Sequence, residues 1–362
     1  MKKCIFLWVS CVIFSTCATK QELTTDISLT DISGEVNFTD MFDDFIYIPL
    51  ETSEKSLFST VNKMIVHENK FYIMDMVKMK QIFVFHNDGT FSHTIGSKGE
   101  GPGEYMNIED FTIDTENNRV VVLSYPSIIY TYDMSGVFME RKVVSNAMLW
   151  SICNYENGFI CSTNHQSATS GADARLIFMF DKNFNLQYKL FDVLPVQVAF
   201  PSFVHQPLLN SETGVIYCDS FTSKIYFINT EKPSDSQSIK LVLNDEAPAS
   251  VYADPMKFIT NQQHYSFFLS FYFADNVLFL SFADKGKENV LIKDFNTNKQ
   301  IVSHVPFGWF NILFHQNGDL YSCIDPLRIL ENKDKFPISN DTKYMLEYDG
   351  NPVIIKFKSR KL

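Results

Sequence analysis

Short runs of alternating apolar and polar residues, separated by turn residues, follow one another from about residue 44 to the end of the chain. The clearest unit has four such runs, and the turn before its last run contains Asp88-Gly89, a pair that favours tight hairpins. Turns that recur every 8–12 residues or so are typical of antiparallel sheets. The four runs of this unit cover residues 61–66, 70–75, 81–85 and 90–95.

The same order of runs recurs five more times, with a period of about 36–48 residues that is typical of four-stranded propeller blades. The sixth copy lacks a fourth run, and residues 44–50 can supply it, which leaves no open sheet edge between the first and last blades. The pattern therefore predicts an all-β, six-bladed β-propeller of four-stranded antiparallel blades, its ring closed by an N-terminal strand in the last blade. The later copies begin near Phe111, Leu149, Phe203, Ser266 and Phe310.

This pattern also predicts how the chain is divided. The expected segments are a signal peptide at 1–17, a linker at 18–43 and one propeller domain at 44–360, with insertions near 230–266 and 331–350. In the first insertion, Asp254-Pro255 provides a helix N-cap followed by proline at the first helical position, and predicts a short helix toward Gln263. Long insertions on a rigid scaffold often carry function, although a solvated loop is the simpler interpretation.

The N-terminal residues predict export. Lys2 and Lys3 precede an apolar run too short to span a bilayer, and Phe14-Ser15-Thr16-Cys17 is similar to the lipobox in which the cysteine is lipidated. An ordinary cleaved signal peptide is the alternative. We expect a lipoprotein anchored through Cys17 in the outer membrane or a periplasm-facing membrane, with the cell surface as a further option.

Composition narrows the range of partners and the chemistry of the core. The net charge of -11 argues against nucleic acid or an anionic membrane surface as a partner, because neither would attract the chain electrostatically. The 34 phenylalanines indicate a large aromatic core. No cofactor or metal is expected.

Four cysteines remain beyond the signal segment, and only Cys153 and Cys161 are close in sequence. They flank the turn at residues 155–158. A three-residue turn would place them opposite each other, whereas a two-residue Asn157-Gly158 turn would send them to opposite faces of the sheet. We expect buried free thiols, and a disulfide between the two stays open.

The stretch Gly96 to Tyr105 contains four glycines and raises the question of phosphate binding. Lys98 precedes Gly99, no helix follows, and the spacing fits neither a Walker A loop nor a dinucleotide-binding loop. The stretch instead joins the fourth run of one unit to the first run of the next, where glycine permits positive φ. It predicts a structural inter-blade loop whose residues are Gly99, Gly101, Pro102, Gly103 and Tyr105.

Three motifs carry a family resemblance. Residues 99–105, Gly-Glu-Gly-Pro-Gly-Glu-Tyr, resemble the signature of the six-bladed β-propeller lipoproteins of gut Bacteroidetes, and residues 47–51 and 351–355 are similar to the opening and closing strands of that family. The chain also resembles NHL-repeat propellers more distantly. The resemblance implies a propeller fold and an exported location, and it supplies no catalytic residues.

Propellers usually bind their ligands at one mouth of the central channel. We expect the binding site at the mouth where the first strands and the inter-blade loops converge. By position, the candidates are Trp150, His205, His264, Trp309 and Asn311, of which Trp150, His205 and Trp309 are the expected ligand-binding residues. Exposed tryptophans can stack on sugar rings. Each of these aromatic and histidine side chains can equally be a packing residue between blades.

We assign no catalytic residue from the sequence. The carboxylates that stand near strand ends are explained by turn chemistry, and no hydrolase, zinc or EF-hand motif is present; these carboxylates are Asp88, Asp181, Asp219 and Asp284. The expected function is a non-catalytic module that binds a carbohydrate, another ligand or an envelope protein. A propeller-type glycan hydrolase or lyase is the alternative, and a purely structural subunit is a third hypothesis.

Overall fold

The computed structural model describes most of the chain. The described residues are 26–145, 147–166, 174–196, 198–199, 202, 204, 206–211, 214–305, 311–332, 336, 338 and 350–360.

Twenty-seven strands and four α-helices occupy the described residues. The N-terminal elements and the first blade are β1 (Ile27–Ser28), α1 (Phe38–Met41), β2 (Phe42–Pro49), β3 (Lys63–His67), β4 (Lys70–Asp75), β5 (Gln81–His86) and β6 (Phe91–Ile95). The elements up to the third blade are β7 (Ser97–Lys98), β8 (Glu104–Tyr105), β9 (Asp110–Asp114), β10 (Arg119–Ser124), β11 (Ile128–Asp133), β12 (Phe138–Val143), β13 (Ser151–Tyr155), β14 (Gly158–Ser162), β15 (Arg175–Asp181) and β16 (Leu186–Asp192). The fourth blade and the insertion after it contain β17 (Leu208–Ser211), β18 (Gly214–Asp219), β19 (Lys224–Ile228), β20 (Gln237–Val242), α2 (Ala249–Tyr252) and α3 (Pro255–Asn261). The remaining elements are β21 (Ser266–Ala274), β22 (Val277–Asp284), β23 (Lys287–Asp294), β24 (Gln300–His304), β25 (Ile312–Gln316), β26 (Asp319–Ile324), α4 (Pro326–Glu331) and β27 (Val353–Ser359).

These strands form six antiparallel sheets that stand as blades around a ring. Each of the first five blades is made of four strands in chain order, starting with β3, β9, β13, β17 and β21. The sixth has the order β2-β27-β26-β25. The first strand of every blade contacts the first strands of both neighbouring blades, and β25 contacts β3. The ring is therefore closed, as the sequence pattern predicted.

The middle strands are apolar on both faces because each blade is packed between two others. In β10, Val120 and Val122 face the core shared with the first blade, while Val121 and Leu123 face the core shared with the third. All four side chains are fully buried. The outer strand β12 is exposed over most of its length, since nothing packs outside it. Burial on two faces explains why strands such as β10 form continuous apolar runs.

The closing strand β2 pairs antiparallel with β27, in a register that includes Tyr47 with Ile355 and Ile48 with Ile354. Buried Asn351 strengthens this joint, because its side chain accepts a hydrogen bond from the Phe58 backbone N–H at 3.1 Å and donates one to the Glu51 carbonyl at 2.8 Å. The prediction that an N-terminal strand completes the last blade is confirmed.

The segment 26–41, which the sequence pattern assigned to a linker, instead crosses the outer edges of two blades. β1 adds to the fourth blade in parallel with β20. The Ser33 backbone N–H then donates to the Val302 carbonyl on β24 of the fifth blade, at 2.9 Å. The turn into β2 is made by α1, whose Phe38 and Met41 are buried. Edge hydrogen bonding, which has no apolar periodicity of its own, is invisible in the sequence pattern.

The first insertion contains the predicted helix. In α3, Pro255 is the first residue, and the Asp254 side chain accepts hydrogen bonds from the backbone N–H groups of Met256 and Lys257, at 3.0 and 3.2 Å. Phe258 of this helix packs on Phe267 of the fifth blade, with ring centroids 5.2 Å apart. Nearly all of the second insertion, at 331–350, lies outside the described residues. Among the described residues, no helix has the length and apolarity needed to cross a bilayer.

Cys153 and Cys161 lie on opposite faces of the third blade. Tyr155 pairs with Gly158, so the turn is the two-residue Glu156-Asn157, one position earlier than the Asn157-Gly158 turn considered from the sequence. This register pairs Ile152 with Cys161 and offsets the two cysteines by one residue. Both thiols are free, as expected, and so are those of Cys218 and Cys323.

Buried polar side chains at the ends of second strands form hydrogen bonds with the segments that precede the first strands of the same blades. Asp75, at the end of β4, is fully buried and accepts hydrogen bonds from the Ser59 N–H and hydroxyl at 2.8 and 2.9 Å, and from the Lys78 N–H at 3.0 Å. Ser124 of β10 and Ser322 of β26 donate to the preceding inter-blade segments in the same way. Burial alone would raise the pKa of Asp75, but these donors lower it below the usual value.

We expect acid to destabilise the fold partly through Asp75. A lowered folded-state pKa contributes stability that is complete above the unfolded-state pKa of about 3.9 and is lost as the pH falls through the folded-state value. In thermal melts between about pH 6 and pH 3, the variant Asp75→Asn should lose less stability on acidification than the wild type. The exposed Asp31→Asn variant is the control and should follow the wild type. Parallel acid profiles for the wild type and Asp75→Asn would contradict this assignment.

Candidate functional site

A cavity of about 360 Å³ occupies the centre of the ring. Every one of the six innermost strands contributes to its wall. The polar side chains of the wall are Lys63, His67, Thr112, Thr115, Asn154, Gln206, Asn210, His315 and Gln316, and its aromatic side chains are Tyr272, Phe273 and Phe314. A cavity of this size and mixed lining is in the range of small-molecule sites.

The cavity opens where the first strands end and turn into the second strands. Thr115, Asn210 and Gln316, at the far ends of first strands, are exposed, whereas Lys63 and Tyr272 are more than nine-tenths buried. This mouth is at the opposite end of the channel from the inter-blade loops. The sequence had placed the candidate site at the inter-blade end.

Three nitrogen atoms of the wall are buried without a hydrogen-bond partner among the described residues: Nε2 of His67, of Gln206 and of His315. Gln206 is 7% exposed. The nearest carboxylate to His315 Nε2 is Asp275 Oδ2 at 3.0 Å, which is not aligned for a hydrogen bond, and the nearest to His67 Nε2 is Glu68 Oε1 at 3.9 Å. Buried polar groups in folded proteins normally have hydrogen-bond partners. Three unpartnered nitrogen atoms in one cavity therefore distinguish this cavity from an ordinary packing void.

Lys63 of the cavity wall belongs to a buried ion pair that joins three blades. Lys63 Nζ on β3 donates to Asp110 Oδ1 on β9 at 2.8 Å and to the Ile152 carbonyl on β13 at 3.1 Å. The Ile152 N–H returns a hydrogen bond to Asp110 Oδ2 at 2.8 Å. Burial raises the pKa of Asp110, and the charge of Lys63 opposes that shift. This network leaves both charges satisfied within the wall.

Two other polar features of the wall are a side-chain hydrogen bond between two blades and a buried thiol. Thr112 donates to the Asn154 side-chain oxygen at 2.9 Å, which fixes the amide at the boundary between the second and third blades. Burial raises the pKa of the Cys153 thiol to about 12, so this sulfur stays protonated and is a poor nucleophile. Among the described residues that line the cavity, none is Asp or Glu.

Asp219, one of the carboxylates considered from the sequence, belongs to a separate buried pair. His165 Nε2 donates to Asp219 Oδ2 at 2.9 Å, and the Leu194 backbone N–H donates to His165 Nδ1 at 2.9 Å. Burial alone would raise the pKa of Asp219, but His165 and further donors, including Thr222, lower it. The pair connects the third blade to the fourth. Because both ring nitrogens of His165 are hydrogen-bonded, the pair offers no free acid or base.

Comparison with known families identifies the chain. The family model described as "Domain of unknown function (DUF4934)" matches residues 24–358. The chain belongs to the DUF4934 family. No curated protein matches it in sequence.

One solved structure shows the same fold as this DUF4934 chain. It is described as a "Putative exported protein" from Bacteroides fragilis and superposes with a TM-score of 0.76 at 15% identity, covering 93% of this chain and 100% of the other. BamB from Moraxella catarrhalis gives a TM-score of 0.45 at 10% identity, covering 77% and 75%. A luciferin-regenerating enzyme gives 0.45 at 9% identity, covering 90% and 96%. At these identities the first match shows a shared fold, and the other two carry no argument.

The binding residues expected from the sequence stand apart from the cavity of the DUF4934 propeller. Trp150 is half-buried just before β13, its indole N–H is buried without a partner, and it does not line the cavity. His264 is exposed beyond α3, and Asn311 accepts a hydrogen bond from Ser322. His205, Trp309 and the lipidation candidate Cys17 lie outside the described residues. Ligand binding at Trp150, His205 and Trp309 stays a prediction.

The glycine-rich stretch lies between the first and second blades. Tyr105 is 1% exposed and packs edge-on against Tyr130, with ring centroids 5.6 Å apart. Gly103 has φ of +75°, its carbonyl accepts from the Tyr132 hydroxyl at 2.8 Å, and an added Cβ would lie 2.6 Å from Phe138. The Gly101 N–H donates to Glu104 at 2.9 Å. Gly99 and Pro102 complete this loop, whose glycines serve close packing.

The lining residues were missed because no known motif contains them. The sequence of this DUF4934 chain does contain a signal for the lining residues. It becomes visible when the blades are aligned on the turn between the first and second strands. His315 is the residue before the last in the first strand of the sixth blade, whereas His67 is the last residue of the first strand in the first blade. Asn154 and Asn210 precede the corresponding turns of the third and fourth blades. Polar residues at the same step of successive first strands face one channel, which is the information a blade alignment would supply.

Proposed function

We propose that this chain is an exported, lipid-anchored propeller that binds a ligand without catalysis in the cell envelope, with the central cavity as its binding site. The observation that carries the proposal is the set of buried, unpartnered nitrogens of His67, Gln206 and His315 in one cavity. An unmade hydrogen bond of a buried donor costs about 1–3 kcal/mol, and a bound polar ligand removes that cost.

Several features support binding over catalysis. A glycosidase needs two carboxylates about 5–9 Å apart across its cleft, and the described lining has amides, imidazoles and aromatic rings instead. The Cys153 thiol is held protonated. A glycan hydrolase or lyase remains the alternative only for a site elsewhere in the channel.

The cellular placement is part of the same proposal. The charged and apolar N-terminal run ending in Phe14-Ser15-Thr16-Cys17 supports export and lipidation at Cys17. The resemblance to propeller lipoproteins of Bacteroidetes, and more distantly to NHL-type propellers, points the same way. A carbohydrate or an envelope protein is the partner class that this habitat suggests.

The test is a ligand-induced shift in melting temperature of the purified protein with panels of glycans, peptides and calcium. A compound that binds the native state raises the melting temperature by mass action. We expect Gln206→Leu to abolish the shift while leaving the ligand-free protein as stable as the wild type or more so, because an unpartnered buried amide is removed. The matched control is Gln166→Leu, since Gln166 is also buried with an unpartnered Nε2 but lies outside the cavity.

Two outcomes would contradict the proposal. A shift that survives in Gln206→Leu places the ligand elsewhere, and its loss in Trp150→Ala would then favour the inter-blade mouth expected from the sequence. A panel without any active compound would contradict a small-ligand function and favour the structural or protein-binding hypotheses.

A further inference from the structure

Two further cavities adjoin the central cavity and share lining residues with it. A cavity of about 210 Å³ lies beneath the first turns of the second and third blades, and one of about 350 Å³ lies beside the first turn of the fifth. Asn210 lines all three cavities. Together they form a cleft, elongated across the mouth, that a compact ligand confined to the centre would leave partly empty.

Carboxylates occupy the turns along this cleft. Glu116 and Glu156 line one end, and Asp275 lines the other. Glu68 stands on the corresponding turn of the first blade with its side chain 66% exposed. The turns that connect first to second strands therefore carry an acidic residue in the first, second, third and fifth blades.

The basic side chains of the same region are already matched. Lys63 is paired with Asp110, Arg119 with Asp114 at 2.8 Å, and Lys182 with Glu116. Glu156 forms no ion pair with any described residue, and Glu68 and Asp275 face only imidazoles, which are charged only when protonated. The mouth consequently keeps an excess of negative charge.

We infer that the ligand of this cleft is an extended peptide segment carrying Lys or Arg side chains, an inference that rests on the proposed binding function. The unpartnered amide of Gln206, 7% exposed, offers a buried donor in the central cavity. Asn210 adds an exposed side-chain amide, whose paired donor and acceptor match a peptide unit, and Asn154, whose oxygen accepts from Thr112, adds its side-chain N–H donors. The rim carboxylates then attract the basic side chains of the segment, and Phe273 and Phe314 cover its apolar stems.

The experiment measures fluorescence anisotropy of labelled hexapeptides with the purified protein. One peptide carries lysines, a second has the same lysines acetylated, and a third carries glutamates in their place; a neutral oligosaccharide is tested as competitor. We expect binding of the lysine peptide only, weakening as salt rises because exposed charges are screened. Glu156→Gln should weaken it about two- to fivefold, as for one exposed ion pair. Glu100→Gln, which removes an exposed acid in the inter-blade loop, is the matched control and should not.

The outcomes separate this inference from the proposed function. If the acetylated peptide or the oligosaccharide binds as well as the lysine peptide and Gln206→Leu abolishes that binding, the cavity is a binding site and the cationic peptide is wrong. If the lysine peptide binds but Glu156→Gln behaves like Glu100→Gln, the acidic rim is not the recognition element. If none of these compounds binds, the cationic peptide is wrong, and the proposed function is decided by the melting-temperature panel. If the lysine peptide binds and Gln206→Leu changes nothing, the central cavity is not the binding site and the proposed function fails.

Discussion

Replacement of Asp110 by alanine is expected to lower the free energy of unfolding by about 3–5 kcal/mol, because it leaves Lys63 charged and buried without its partner. Asp110 is 2% exposed and Lys63 is 6% exposed, so solvent cannot take over the role of the carboxylate. The change also removes the acceptor of the Ile152 backbone N–H on the third blade. One substitution thereby loosens the inner strands of three blades.

The measurement is denaturant unfolding of Asp110→Ala, Lys63→Met and the double variant. Removing both charges avoids an uncompensated buried ion, so the double variant should be less destabilised than the sum of the single changes. The control is Lys358→Ala, which breaks the exposed Lys358–Asp44 pair and should cost at most about 1 kcal/mol. Strict additivity of the two single changes would show that the buried pair is not coupled.

Truncation of Phe42 to alanine is expected to destabilise the ring by about 3–5 kcal/mol, the usual loss for a buried aromatic side chain. Phe42 begins the closing strand and is fully buried, with its ring centroid 4.9 Å from that of Phe357 and 6.0 Å from that of Phe279. The side chain thus belongs to both the last and the fifth blade. Its loss opens a cavity at the joint on which closure depends.

Ile46→Ala is the matched control, because Ile46 lies on the same strand with 52% exposure. A surface substitution of this kind should change the free energy of unfolding by at most about 0.5 kcal/mol. Urea unfolding of both variants compares them directly. Equal losses would mean that β2 contributes through its backbone alone and that the Phe42 contact is not part of the joint.

The architecture could be predicted because each blade repeats a local signal. Alternation and turn residues such as Asp88-Gly89 mark hairpins without reference to the rest of the chain, and the incomplete last copy required a strand such as residues 44–50, which is observed as Phe42–Pro49. The N-cap at Asp254 is equally local, and the helix after it begins where predicted. The path of residues 26–41 could not be predicted, since its backbone pairs with strands more than two hundred residues away.

The candidate site could not be predicted from the sequence, for a related reason. Trp150 is a tryptophan near the start of a first strand and was a candidate by residue type, whereas Gln206, just before β17, and His315, on β25, are residue types that suggest no ligand by themselves. What distinguishes them is a shared direction toward the channel and the absence of a hydrogen-bond partner among the described residues. Both properties depend on neighbours brought by other blades.

The sequence by itself determined the strand order, the number of blades and the closing of the ring, because periodicity and turn chemistry act over a few residues. Only the tertiary structure decided which end of the channel opens into a cavity, how Lys63 of its wall pairs with Asp110, and which polar atoms are left for a ligand. Those features arise where six first strands meet. Their contacts join residues from all six blades, and no local pattern records such contacts.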